Sequence, residues 1–252
     1  MGLILGVGES DFAELRKEKE YYVDKTEILY ELVHETKNKV TLFTRPRRFG
    51  KTLMMSMLEN FFSIRKDSEG IFEGLAISEH KEFCEEWRNK YPVIFISFKD
   101  VQAENFEDAY EMLKESIADL CKKLPEIEKD PDISTADRET FSQLTFRTPD
   151  YAEVKSSLKT IMRLMNAVYG KKVILLIDEY DVPLAYASEK NTEENQYYPK
   201  MLDVIRGIMS TALKDNEFLQ FAVITGCLRI AKESIFTGTN NFASYSVIDE
   251  IF

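Results

Sequence analysis

Four apolar runs of strand length punctuate the chain: Val40 to Thr44, Val93 to Phe98, Val173 to Ile177 and Leu219 to Ile224. Each is nearly continuously apolar, the pattern of a strand covered on both faces rather than one alternating between core and water. Segments of helical period lie between them. Phe106, Ala109, Tyr110, Leu113, Ile117 and Leu120 share one helical face behind Asn105, an N-cap residue. Val154, Leu158, Ile161, Met165 and Val168 step by 4, 3, 4 and 3 after the start signal Thr148-Pro149-Asp150. Met201, Val204, Ile208 and Ala212 make another such face, and so do Leu53, Met57, Leu58 and Phe61 directly after the first strand. A shorter helix through Ile28, Leu29 and Leu32 would take Asp24 or Thr26 as its N-cap. From Pro125 to Arg147 the chain is rich in Glu, Asp, Ser and Thr, which predicts a surface insertion with at most short helical turns. Strands alternating with helices predict an α/β fold with a mostly parallel central sheet and helices on both faces.

Composition narrows the class. With 252 residues, 44% of them hydrophobic, the chain can bury a large core without cross-links. Cys84, Cys121 and Cys227 are odd in number and far apart, which argues against a disulfide framework or a cysteine zinc site. The only histidines are His34 and His80, too few for a histidine-rich metal site. The apolar start, Met1 to Gly8, has no basic lead-in and does not read as a signal peptide. No aliphatic run approaches the length of a membrane span, so a cytoplasmic protein is expected. With 33 basic and 44 acidic residues the net charge is −11, which repels a phosphate backbone and disfavours nucleic acid as a partner.

The candidate chemistry starts where the first strand ends. Arg45, Pro46, Arg47, Arg48, Phe49, Gly50, Lys51 and Thr52 follow a predicted strand and open a predicted helix, the context of a phosphate loop. Backbone N–H groups at a helix N-terminus carry partial positive charge and lack intrahelical partners, so a bound anion satisfies them. Lys51 would reach the β- and γ-phosphates, and the Thr52 hydroxyl would ligate Mg²⁺. Arg45 stands where the strict pattern has its first glycine; Pro46 restricts Arg45 and can supply by rigidity what glycine supplies by freedom. The plain alternative is a helix start with a small residue before a cation.

The third run ends in Asp178 and Glu179, so these carboxylates emerge at a strand's carboxyl end, where ligands of open α/β sheets bind. Asp178 is placed to hold Mg²⁺ through water, and Glu179 to act as general base on an attacking water. Otherwise the two merely open the next loop, with Asp181 and Pro183 as turn residues. The fourth run ends in Thr225 and Gly226. A polar residue there can orient the water and sense the γ-phosphate, and Arg229 can contact it in cis or in a neighbouring subunit. Arg229 paired with Glu233 one helical turn on is the alternative. Asn240 and Asn241 read as turn residues, and adenine contact by Tyr21 or Tyr22 is a further option.

Together these residues resemble the bacterial and archaeal AAA-ATPase-like proteins. The resemblance rests on Asp11-Phe12 with Leu15-Arg16, Tyr22-Val23-Asp24-Lys25-Thr26, Arg45 to Thr52, Ile177-Asp178-Glu179-Tyr180-Asp181-Val182-Pro183, and Thr225-Gly226 with Arg229-Ile230. In that family the loop commonly begins Arg-Pro-Arg-Arg. The resemblance implies a P-loop NTPase core of the AAA, additional-strand type, binding ATP or ADP with Mg²⁺ through Lys51, Thr52 and Asp178, with Glu179 as base. Such proteins usually continue into a helical lid and a restriction-endonuclease-like region. Residues 1–252 are therefore expected to form one ATPase domain that stops short of both, with no nuclease activity, acting on an attached effector module or in a homo-oligomer. A nucleotide-gated binding module with little turnover and a small-molecule phosphoryl transferase are the alternatives. The sequence holds no Asn-Lys-x-Asp guanine-reading motif, which favours ATP.

Overall fold

A computed structural model describes residues 10–34, 39–46, 49–227, 235–236 and 242–246. Its centre is a five-stranded sheet in the order β2-β3-β4-β1-β5. The strands are β1 (Val40–Thr44), β2 (Val93–Ser97), β3 (Val173–Asp178), β4 (Leu219–Gly226) and β5 (Phe242–Ser246), and every pairing is parallel. All carboxyl ends therefore share one edge. There Thr44 pairs with Gly226, and Ser97 with Asp178.

Alternation along each strand sends side chains to opposite faces, and both faces are covered. Val173, Leu175 and Ile177 join one apolar cluster, while Ile174 and Leu176 join the other. The first cluster is closed by α5 (Phe106–Lys122), α8 (Tyr151–Tyr169) and α10 (Tyr197–Leu213), with α9 (Val182–Lys190) beside α10. The second is closed by α1 (Phe12–Lys17), α2 (Ile28–His34), α3 (Lys51–Phe62) and α4 (Lys81–Trp87). Burial on both faces is why the strands read as unbroken apolar runs.

Local start signals act as the sequence suggests. The Asn105 side chain accepts from the Asp108 N–H at 2.8 Å, and Asp150 forms a capping box with Glu153 ahead of α8. Two expectations need correction, and one strand has no counterpart among them. The stretch from Pro125 to Arg147 holds two helices, α6 (Pro125–Lys129) and the 11-residue α7 (Thr135–Thr145). Ser134 caps α7 through the Asp137 N–H, and Ile127, Ile133, Phe141 and Leu144 are buried in the main core, so the segment is an integral layer and not an insertion. Asp24 and Thr26 bind each other and the turn at residues 76–77 rather than capping α2. The strand β5 went unpredicted, because Phe-Ala-Ser-Tyr-Ser has no apolar run to announce it. Among the described residues, no helix is long and apolar enough to cross a membrane.

Candidate functional site

The segment from Arg45 to Thr52 leaves the tip of β1 and turns into α3 through Gly50, whose φ of 73° lies in the left-handed region that disfavours a side chain. No side chain caps the first turn of α3, so its amides face the loop. Lys51 is almost fully buried. Its Nζ donates to the carbonyl oxygens of Arg45 (2.7 Å) and Pro46 (3.1 Å) and lies 3.1 Å from Cys227 Sγ. The ammonium is thus folded back into its own loop.

Thr52 points the other way. Its Oγ1 donates to Asp178 Oδ2 at 2.9 Å, joining the head of α3 to the tip of β3 across 126 residues of sequence. The second oxygen of Asp178 accepts from Thr225 Oγ1 on β4. Asp178 is completely buried, and these two hydroxyls meet both of its oxygens. Thr225 also binds the next two residues: its Oγ1 accepts from the Glu179 N–H (3.2 Å), and its carbonyl from the Tyr180 N–H (3.1 Å). Glu179 is held at φ 53°, a left-handed conformation uncommon outside glycine.

Sequence reasoning missed part of this junction. Asp181, read as a turn residue, accepts the Cys227 N–H at 2.7 Å and so ties the end of β4 to the loop after β3. Gly226 is needed for close approach, since a Cβ there would lie 2.6 Å from the Tyr180 ring. No sequence signal places the Cys227 thiol against Lys51. The Gly226 carbonyl accepts the Arg45 N–H at 3.2 Å, completing a knot of β1, β3 and β4.

Beside this knot opens a cavity of about 610 Å³, whose lining includes Tyr21, Tyr22, Val23, Phe49, Lys51 and Met54. Tyr21, Val23 and Phe49 are exposed large apolar side chains, and all three face this one space. Tyr22 belongs to its inner wall: it packs edge-on against Phe12 and donates to Met57 Sδ at 3.3 Å. Burial pushes its hydroxyl up to about 12. The wall is held by Asp24, whose carboxylate accepts from the Thr26 N–H and hydroxyl and from the Ala76 N–H, while Thr26 Oγ1 accepts from the Ile77 N–H.

The structure therefore brings together Arg45, Pro46, Gly50, Lys51, Thr52, Asp178, Glu179 and Thr225, and sets Phe49 at the cavity mouth. Arg47, Arg48, Arg229, Glu233, Asn240 and Asn241 lie outside the described residues. Among the described residues, no group of three or more His, Cys, Asp or Glu could hold a metal unaided.

A family model described as a predicted AAA-ATPase matches residues 6–236. The chain is also 28% identical over 244 residues to a protein of Azotobacter chroococcum mcd 1 described as an uncharacterized protein in the vnfD 5' region. That match takes in 96% of this chain but 41% of the Azotobacter protein, so the chain spans less than half of that relative.

Proposed function

Because the chain belongs to the predicted AAA-ATPase family, we propose that it binds ATP with Mg²⁺ at the β1–α3 loop and hydrolyses it, switching an attached or partner effector. The observation that carries the reading is the 2.9 Å hydrogen bond from Thr52 to Asp178. It joins a helix N-terminus suited to phosphate with a buried carboxylate suited to a divalent cation, two features far apart in the chain. The position of β4 between β1 and β3 further supports the additional-strand P-loop class.

Each residue then has a task. The amides after Gly50 receive phosphate oxygens, and Lys51 exchanges its two carbonyl partners for the β- and γ-phosphates. Thr52 donates its hydrogen bond to Asp178, which would leave its oxygen lone pairs free to ligate a cation. Asp178, whose two oxygens hold the hydroxyls of Thr52 and Thr225, would act on the cation through water. Hydroxyl and carboxylate oxygens suit Mg²⁺, which arrives with phosphate ligands of its own and neutralises their charge when bound. Glu179 accepts the proton of the attacking water. The cavity walls formed by Tyr21, Val23 and Phe49 take the base, and the missing guanine motif favours adenine. Arg47 and Arg48 serve the phosphates, and Arg229 serves the γ-phosphate in cis or from a neighbouring copy.

The test is thermal unfolding with ATP, ADP and GTP, each with and without Mg²⁺. A ligand held only by the folded chain adds about 2.7 kcal/mol at a hundredfold excess over its Kd. The largest stabilisation is expected for adenine nucleotides with Mg²⁺, and no shift with any of them would overturn the reading. One observation favours a second reading, a nucleotide-gated module with little turnover: Lys51 is already satisfied by Arg45, Pro46 and Cys227. Phosphate release measured alongside binding separates the two.

A further inference from the structure

Thr225 is buried at the tip of β4, and its hydroxyl both donates and accepts there. A hydroxyl has a single proton. That proton goes to Asp178 Oδ1, while the oxygen accepts the Glu179 N–H at 3.2 Å and the Thr225 carbonyl accepts the Tyr180 N–H at 3.1 Å. A phosphate oxygen needs a donor. Thr225 can offer one only by giving up its hydrogen bond to Asp178. With its donor committed to Asp178 and its oxygen to the Glu179 amide, this side chain is arranged to hold its neighbours.

We infer that Thr225 is a positioning residue, a clamp that fixes Asp178 and Glu179 relative to each other before nucleotide arrives. The inference rests on the hydrolysis reading above. Glu179 follows a buried strand and takes φ 53°, a conformation that crowds the Cβ of a non-glycine residue and persists only when its surroundings hold it. The surroundings here are the Thr225 hydroxyl and carbonyl, which seize the two amides flanking the Glu179 side chain. The same hydroxyl sets the rotation of the Asp178 carboxylate, leaving Oδ2 turned to Thr52. Asp178 also holds Thr52 through Oδ2 and keeps that partner without Thr225, so the proposed general base is the group that depends on the clamp.

Two measurements on the whole chain decide this. The first is a double-mutant cycle of turnover between Thr225→Val and Glu179→Gln. If Thr225 works through Glu179, Thr225→Val slows kcat by about tenfold or more in the native background, since a base out of place loses much of its effect. In the Glu179→Gln background it costs under about twofold, because the coupled residues share one contribution. KM for Mg·ATP stays near native, and Thr225→Ser, which keeps the hydroxyl, restores most of kcat. Additive losses in the double variant would mean direct contact with the phosphate or water and would overturn the clamp.

The second is amide hydrogen exchange without nucleotide, which is independent of activity. Thr225→Val should speed exchange at Glu179, which loses its acceptor, while Tyr180 and the β4 interior stay protected. Thr225→Ala gives the same comparison if the valine variant does not fold. Unchanged exchange at Glu179 overturns the clamp. A native chain that neither binds nor hydrolyses ATP, yet shows this exchange pattern, would instead remove the hydrolysis reading and leave the positioning geometry in place.

Discussion

At the scale of single residues, Lys51 and Glu179 can be separated by what each variant loses. Lys51→Ala removes a charge-assisted donor worth about 1.5–3 kcal/mol, so ATP affinity measured by calorimetry is expected to fall by roughly ten- to a hundredfold. Thermal melting without nucleotide is the control, because the Arg45 and Pro46 carbonyls lose the same partner. Glu179→Gln keeps size and polarity but cannot take a proton. Its affinity should match the native chain while hydrolysis drops by about a hundred- to ten-thousandfold, and unchanged turnover would remove Glu179 from the role of base. Much of this residue set was legible beforehand. Gly50-Lys51-Thr52 and Asp178-Glu179 each lie at a strand end, and a motif in that setting carries its own geometry. The direction of the Thr225 proton, the grip of Asp181 on the Cys227 amide and the contact of Lys51 with Cys227 were not legible. They depend on which strands become neighbours, and that information resides in no local window.

At the scale of elements, the segment Tyr21 to Thr26 is a strap whose rigidity comes from Asp24. Burial raises the Asp24 pKa, but the Thr26 and Ala76 amides and the Thr26 hydroxyl outweigh it and hold the carboxyl below its usual value. A depressed folded-state pKa adds stability at pH values above the unfolded one, about 3.9, and loses it as pH falls through the folded one. Asp24→Asn should therefore melt below the native chain at pH 7, and the gap should close in acid; an equal gap at both would remove the carboxylate from the strap. The helix α7 teaches the converse lesson. Its polar sequence hid two apolar positions three residues apart, Phe141 and Leu144, both buried. Phe141→Ala is expected to cost about 3–5 kcal/mol in denaturant unfolding, whereas a surface insertion would tolerate the change. Strands β1 to β4 were readable because burial on both faces leaves an unbroken apolar run. The short, mixed segment of β5 lacks that mark.

At the scale of the whole molecule, the site is a product of closure. Its parts come from the tips of β1, β3 and β4, which are neighbours in the sheet but separated by long stretches of chain. None of it exists until the parallel sheet is assembled, so the chemistry reports on the integrity of the entire core. In the resting chain the Lys51 ammonium is already fully engaged by two carbonyls and a sulfur. Such a cation has an admission threshold. On the proposed reading, an inorganic phosphate ion offers a single group to the α3 amides and to Lys51, whereas a polyphosphate would spread over both and bring its own magnesium. Millimolar orthophosphate should accordingly compete poorly with ATP in a displacement titration. On the proposed reading, a loop so guarded would discriminate by the number of contacts an anion can offer and not by charge alone.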